Sequence, residues 1–346
     1  MSSPDPIRRT RGDLCPGVLR PWPAADGALV RLRVPGGRVS PASLAALHGV
    51  AARYGDDDNV YLTTRANLQV RALPTGPDGH LPGEVVEAIT ATGLLPAPGH
   101  ELIRNILVSP LTGLVGGRVD LRPLTDRLDA GLLADPALAG LPGRFLFVLD
   151  DGRGDLVDRG CDLGLVALDA ETAQLRVGPD RAGLVPLGGA PAGEGAAGEE
   201  AADRLVELAR RFVRARGAGP QAPWHVRELA TPLHLAGPEP TPGAAPAGPE
   251  PSPGAALAGP EPSPVSAPAG PEPSPVSALA APAPADPRLP EPSAPLPFGP
   301  VAGAEAIEHV EVPGGVVDRA LLARLTGPDV RELIVTPWRG VVVVPA

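Results

Sequence analysis

One short pattern occurs twice in this chain, and it limits the possible folds more than any other feature. Near the front stands Val30-Arg-Leu-Arg-Val-Pro-Gly-Gly37, followed by a helical stretch over Pro41–Tyr54 and a β-prone segment Val60-Tyr-Leu-Thr-Thr-Arg65. Far along the chain stands His309-Val-Glu-Val-Pro-Gly-Gly315, followed by Arg319–Leu325 and Leu333-Ile-Val-Thr336. Each copy reads strand, Pro-Gly-Gly turn, helix, strand. The first continues through a strand over Asn67–Leu73 and a helix over Pro82–Thr92; the second continues as far as Gly340–Val344. Local chemistry supports these elements. Ser40 can cap a helix with Pro41 at its first position. Leu44, Leu47 and Ala51 then share one face, and Gly55 ends the helix.

A βαββα unit of this size is half of a ferredoxin-like sheet, and two halves can pair. Between them, Ala-Gly-Pro-Glu-Pro-(Ser/Thr)-Pro recurs from Ala236, Ala247, Ala258 and Ala269, with a period of eleven residues. Every proline there has a fixed φ and no N–H donor, and the stretch has little to bury. It is expected to be a disordered, extended spacer. The segment Glu101–Pro232 holds strand candidates at Arg144–Leu149 and Leu163–Leu168. It also holds an amphipathic helix, Glu199–Arg216, with Leu205, Leu208 and Phe212 on one stripe. The expected fold is α+β, with two ferredoxin-like half domains pairing around a mixed α/β domain. The expected boundaries are a first half domain over 1–99, the mixed domain over 100–235, the linker over 236–297, and a second, incomplete half domain over 298–346.

Composition excludes several classes of protein. The chain has no lysine, so no lysine can act as Schiff base or general base. The stretch 236–297 carries five Glu and one Asp against one Arg, half of the formal net charge of -10. The remainder is mildly acidic and lacks the basic face of a nucleic-acid binder. Nothing is apolar for long enough to be a signal peptide or a membrane span, so a cytoplasmic, soluble protein is expected. Cys15 and Cys161 are too few and too far apart for a disulfide framework. The histidines, His48, His80, His100, His225, His234 and His309, show no metal-ligand spacing. No metal site is expected.

Arginines on β-prone segments are the candidates for chemistry. Arg31 and Arg33 alternate with Val30, Leu32 and Val34, so both leave one face of a strand. Arg65 and Arg71 flank the polar pair Asn67 and Gln69, and Arg104-Asn105 precedes an apolar run. A guanidinium stays charged and donates in a planar fork suited to carboxylates. Converging, these side chains would form a polyanion site; diverging, they would decorate a solvated sheet face.

Several motifs together carry a resemblance. Cys15-Pro-Gly-Val-Leu-Arg-Pro, Asp26-Gly and Arg31-Leu-Arg-Val-Pro-Gly-Gly37 resemble the opening of precorrin-3B synthases. Val60-Tyr-Leu-Thr-Thr-Arg-Ala-Asn-Leu-Gln69 resembles the Thr-x-Arg-x-x-x-Gln segment of sulfite and nitrite reductases. Arg104-Asn-Ile-Leu and Pro142-Gly-Arg-Phe-Leu-Phe-Val-Leu-Asp150 resemble later segments of that superfamily. The resemblance implies an oxidoreductase of cobalamin biosynthesis that hydroxylates precorrin-3A with oxygen and forms a lactone. It implies a 4Fe–4S cluster, with sirohaem or non-haem iron, an electron donor, and a tetrapyrrole bound by Arg31, Arg33, Arg65, Asn67, Gln69, Arg71, Arg104, Asn105 and Arg144. In the family's reductases a second basic residue falls two positions beyond the one matching Arg144; here that position is Leu146. The cluster cysteines would follow the second half domain, so the chain is expected to stop short of them. A non-catalytic tetrapyrrole-binding remnant and a sirohaem nitrite/sulfite reductase are the alternatives.

Overall fold

The computed structural model describes residues 12–188, 198–231, 233 and 284–346. The compact unit is formed by Met1–Leu233 and Pro282–Ala346. The eleven-residue repeats lie outside the described residues.

The first half contributes β1 (Trp22–Ala24), β2 (Gly27–Leu32), β3 (Arg38–Val39), α1 (Pro41–Tyr54), β4 (Val60–Leu62), β5 (Leu68–Leu73) and α2 (Gly83–Ala91). The middle contributes β6 (Ile106–Val108), α3 (Arg122–Ala134), β7 (Phe147–Asp150), β8 (Leu163–Ala167), β9 (Thr172–Val177), β10 (Asp180–Pro186) and α4 (Glu199–Arg216). The last part contributes β11 (Gly299–Val301), β12 (Ala304–Glu311), β13 (Val316–Val317), α5 (Arg319–Leu325), β14 (Val330–Val335) and β15 (Gly340–Pro345). The strand expected from Arg144 begins at Phe147 instead, which leaves Arg144 in the turn before it.

The two halves exchange strands. One sheet has the order β1-β2-β5-β4-β13 and another β11-β12-β15-β14-β3. The short β13 therefore edges the first half's sheet, and β3 edges the second's. The Pro-Gly-Gly turns make this possible. Gly36 and Gly314 sit at φ 64° and 63°, and Gly37 and Gly315 at 72° and 76°, where a side chain is strained. A Cβ on Gly37 would meet the Val335 carbonyl oxygen at 2.2 Å, so the crossing chain passes almost against its new partner.

One apolar core runs through both halves. It joins Val30, Leu44, Leu47 and Val70 of the first to Val310, Leu325, Leu333 and Val335 of the second, and includes Val148 and Leu156 of the middle. The third sheet has the order β10-β9-β8-β7-β6. Its β6, β7 and β8 run parallel, β9 pairs antiparallel with β8, and β10 pairs antiparallel with β9. Helix α4 packs on this sheet through Phe212, whose ring centroid lies 4.8 Å from that of Phe145. Helix α3 packs beside α4, with Gly131 against Val206.

The last part of the stretch read as linker is attached to the unit. The Gln174 side-chain amide donates to the Pro284 carbonyl and accepts from the Asp286 backbone N–H, at 2.9 and 3.2 Å. The Ser293 N–H donates to the Gly154 carbonyl at 3.0 Å. Residues 284–297 thus form a strap over the third sheet, and the sequence expectation of a free spacer as far as Pro297 is corrected there. Backbone hydrogen bonds to the unit anchor this segment, which its prolines keep extended. Among the described residues, no helix is long and apolar enough to cross a membrane.

Candidate functional site

Four of the expected arginines converge where the first half meets the start of β7. Arg31 leaves β2 opposite Gln69 of β5, and its Nη2 donates to the Gln69 side-chain oxygen at 3.2 Å. Arg33 is only 2% exposed and donates through Nη1 to the carbonyls of Pro16 and Arg31, at 2.6 and 2.9 Å. Arg65 sits in the loop between β4 and β5 and donates to the Arg144 carbonyl at 3.0 Å. The Arg144 guanidinium lies over the Trp224 ring, 5.3 Å from its centroid.

The loop carrying Arg65 is held by its own hydrogen bonds. Thr63 Oγ1 accepts from the backbone N–H groups of Arg65 and Asn67, and Ala66 adopts φ 55°. Asn67 and Asn105 are buried supports. Asn67 Oδ1 accepts from the Val34 N–H, and its Nδ2 donates to Asn105 Oδ1 at 3.1 Å. Asn105 Nδ2 in turn donates to the carbonyls of Leu102 and Gly143. Asp162, buried, accepts from the N–H groups of Leu146 and Val226, which brings Trp224 to Arg144.

Charge is concentrated here without pairing. Arg31 Nε and Arg33 Nε and Nη2 are buried and have no hydrogen-bond partner. Among the described residues, no carboxylate forms an ion pair with Arg31, Arg33, Arg65 or Arg144. Burial pulls the Arg33 guanidinium down to about 10, and the neighbouring Arg31 charge adds to it. Burial also lowers Arg31 and Arg65, with Arg144 repelling both. The Cys15 thiol lies in the same field but is pushed up, first by burial and then by Asp13. Buried donors without acceptors are costly, and an oxyanion held between them satisfies them.

Two expected ligands point elsewhere. Arg104 forms a two-pronged pair with Asp129 of α3, both contacts at 2.7 Å. Arg71 pairs with Asp26 at 3.0 Å and lies over the Tyr61 ring. Asn105 has both ends of its amide engaged by the protein and serves as scaffold. Trp224 was not foreseen; nothing in its local sequence marks it as a partner for a residue so far upstream. The repeat is asymmetric at this point. Aligning the two Pro-Gly-Gly turns sets His309 and Glu311 where the first half has Arg31 and Arg33, and aligning the later hairpin loops, Thr63 on Thr336 and Ala66 on Arg339, sets Trp338 where it has Arg65. His309 is buried, with Nε2 3.0 Å from Thr336 Oγ1, and Glu311 is exposed, so the second half has a buried histidine and a surface carboxylate where the first has the arginine cluster.

Residues 23–76 match the nitrite/sulfite reductase ferredoxin-like half domain, a segment that includes Arg31, Arg33, Arg65, Asn67, Gln69 and Arg71. The chain is 33% identical over 135 residues to the ferredoxin–nitrite reductase of Synechococcus elongatus, covering 37% of this chain and 26% of that protein. It is 30% identical over 144 residues to the ferredoxin–nitrite reductase of Leptolyngbya laminosa, covering 39% of this chain and 27% of that protein. The chain thus spans about a quarter of the length of these curated relatives. The structure of the Mycobacterium tuberculosis NirA protein aligns with 92% of this chain and 54% of its own, at a TM-score of 0.50 and 15% identity. The fold is the α+β architecture seen in NirA, and residues 23–76 are similar in sequence to the nitrite/sulfite reductase half domain.

Proposed function

We propose that this chain serves an oxidoreductase of the nitrite/sulfite reductase kind, and that Arg31, Arg33, Arg65 and Arg144 hold the carboxylates of a tetrapyrrole such as sirohaem. The observation that carries this reading is the set of buried, partnerless guanidinium nitrogens on Arg31 and Arg33, within a half domain similar to that family. The planar forks fit carboxylates. The names of the relatives support the reductase side of the expected family. An iron–sulfur cluster takes several thiolates, and the cysteines of this chain do not fit one. Cys15 and Cys161 are single residues, with Cys161 pushed up to about 11 by burial. Among the described residues, no three His, Cys, Asp or Glu side chains come together as a metal-holding group. No step is assigned to a cluster on this chain.

The second reading is a precorrin-3B synthase-like enzyme acting on precorrin-3A, and Leu146 favours it. That side chain is 8% exposed and packs in the core, so no second cation follows Arg144 at the spacing of a small-dianion clamp.

Absorbance titration with sirohaem at two salt concentrations tests the main proposal. Arg65→Ala should weaken binding by about tenfold to a hundredfold, since a hydrogen bond to a charged group contributes roughly 1.5–3 kcal/mol. Arg65→Lys should recover part of the loss, because an ammonium lacks the fork. Arg214→Ala on α4 serves as the control. Equal affinity in Arg65→Ala and the control would show that the cluster is not the binding site. Perturbation of the bound sirohaem spectrum by nitrite or sulfite would favour the reductase reading. Displacement of sirohaem by a precorrin, with no response to these anions, would favour the second.

A further inference from the structure

The β9–β10 hairpin and the strap over it border a cleft of about 250 Å³ lined by Asp158, Val166, Gln174, Arg176, Pro179, Arg181 and Leu289. We propose that this cleft binds a small organic oxyanion, gripped by Arg176 and Arg181. It shares no lining residue with the cluster of Arg31, Arg33, Arg65 and Arg144, and the inference does not rest on that site's reading.

Register provides the first argument. Arg181 stands directly opposite Arg176 in the antiparallel pair, so the two guanidinium groups leave the same face side by side. Like charges in that position repel and destabilise the pair. Among the described residues no carboxylate forms an ion pair with either, Asp158 included. Arg176 Nη2 donates to the Arg159 carbonyl at 2.7 Å, which fixes the fork, while its Nη1 is buried with no partner. An oxyanion bridging the two arginines would relieve the repulsion and satisfy the orphaned donor.

The walls define the rest of the ligand. The Gln174 carbonyl and one of its amide N–H groups hold the strap at Asp286 and Pro284, so the charged grip on the anion falls to Arg176 and Arg181. Val166, Pro179 and Leu289 are apolar, so the ligand carries a short hydrocarbon part beside its charged end. Pockets for drug-sized ligands run from about 300 to 1,000 Å³, so this smaller cleft suits a compact acid and excludes a tetrapyrrole macrocycle. A carboxylate and a phosphate present the same oxyanion chemistry to a guanidinium pair.

Isothermal titration of the full chain with succinate, and separately with inorganic phosphate, at matched ionic strength tests this. At least one anion should bind saturably, and the comparison shows whether carboxylate or phosphate is preferred. Arg176→Gln and Arg181→Gln should each weaken binding about tenfold, and the double variant should abolish it. Arg181→Gln lies on an edge strand, so its folding is expected to survive; a circular dichroism melt of each variant verifies this. Arg65→Ala should bind as wild type does. Absence of saturable binding by either anion overturns the proposal, as does undiminished binding in folded Arg181→Gln. Loss of binding in Arg65→Ala also overturns it, since the anion would then occupy the other arginine cluster.

Discussion

A guanidinium as buried as that of Arg33 is costly unless each of its protons meets an acceptor, and two of its nitrogens meet none within the protein. Under the proposed function a bound oxyanion would give these nitrogens their acceptors, which gives Arg33 and Arg31 more weight than better-exposed neighbours. Arg104 shows the opposite case. Its fork is filled by Asp129, so Arg104→Ala should leave sirohaem affinity within about twofold of wild type. Asp129→Ala should instead destabilise the fold by about 1.5–3 kcal/mol by stranding a buried cation, read as a lowered urea midpoint. Asp155 supplies a pH-dependent test. Burial, with Asp150 and Asp151 nearby, pushes its carboxyl up to about 7, against the opposing hydrogen bond from Ser109. The folded state therefore keeps a proton that the unfolded chain releases near pH 4, and stability falls as pH rises through about 7. Between about pH 6 and pH 8 the melting temperature of Asp155→Asn should decline less than that of wild type. Equal slopes would mean the carboxyl does not titrate there. Strand alternation picked out Arg31 and Arg33 from the sequence, and the polar pair Asn67 and Gln69 drew attention to Arg65 beside it. Neither signal could tell which arginines a carboxylate claims, because Asp129 lies on α3 and Asp26 in a separate turn.

Among the elements, the Pro-Gly-Gly turns are the most demanding. Gly37 combines a left-handed φ with a carbonyl where its Cβ would be, while Gly315 has its nearest backbone oxygen, that of Leu62, at 3.2 Å. Gly37→Ala should cost about 2 kcal/mol or more and Gly315→Ala about 1 kcal/mol, measured by denaturant unfolding. Comparable losses would show that conformational strain, and not the close approach, sets the cost. The strap gives another test. Gln174→Ala removes both of its amide contacts and should make the backbone near Pro284 and Asp286 more accessible to protease. Unchanged cleavage would mean that the Arg288–Asp169 pair and the Ser293–Gly154 hydrogen bond suffice to hold the strap. Helix α1 was legible from its cap and stripe, α4 from its stripe, and α5 from its place in the repeat. Helix α3 was not singled out, although Leu124, Leu128 and Leu132 recur at helical spacing, because Gly131 and its charged residues weaken the pattern. The β9–β10 hairpin was also missed, since its exposed, Gly-containing second strand shows little alternation.

At the scale of the whole molecule, the duplicated sequence predicted paired halves, and the structure adds how they are joined. Each half's sheet is finished by two residues from the other, Arg38–Val39 in one direction and Val316–Val317 in the other. A single core then runs through both. The long separation in sequence hid this exchange, because such short strands carry almost no periodic signal. Neither half can complete its sheet alone, yet the exchange does not require them to share one polypeptide. Two separately translated pieces, residues 1–246 and 282–346, should therefore assemble when produced together and copurify in equal amounts, while each alone should fail to reach a soluble folded form. Folding of either piece in isolation would show that the exchanged strands are ornamental. If the pieces do assemble, a gene encoding this unit could be broken between its halves and still yield the same molecule: what must be preserved is the partnership, not the peptide bond.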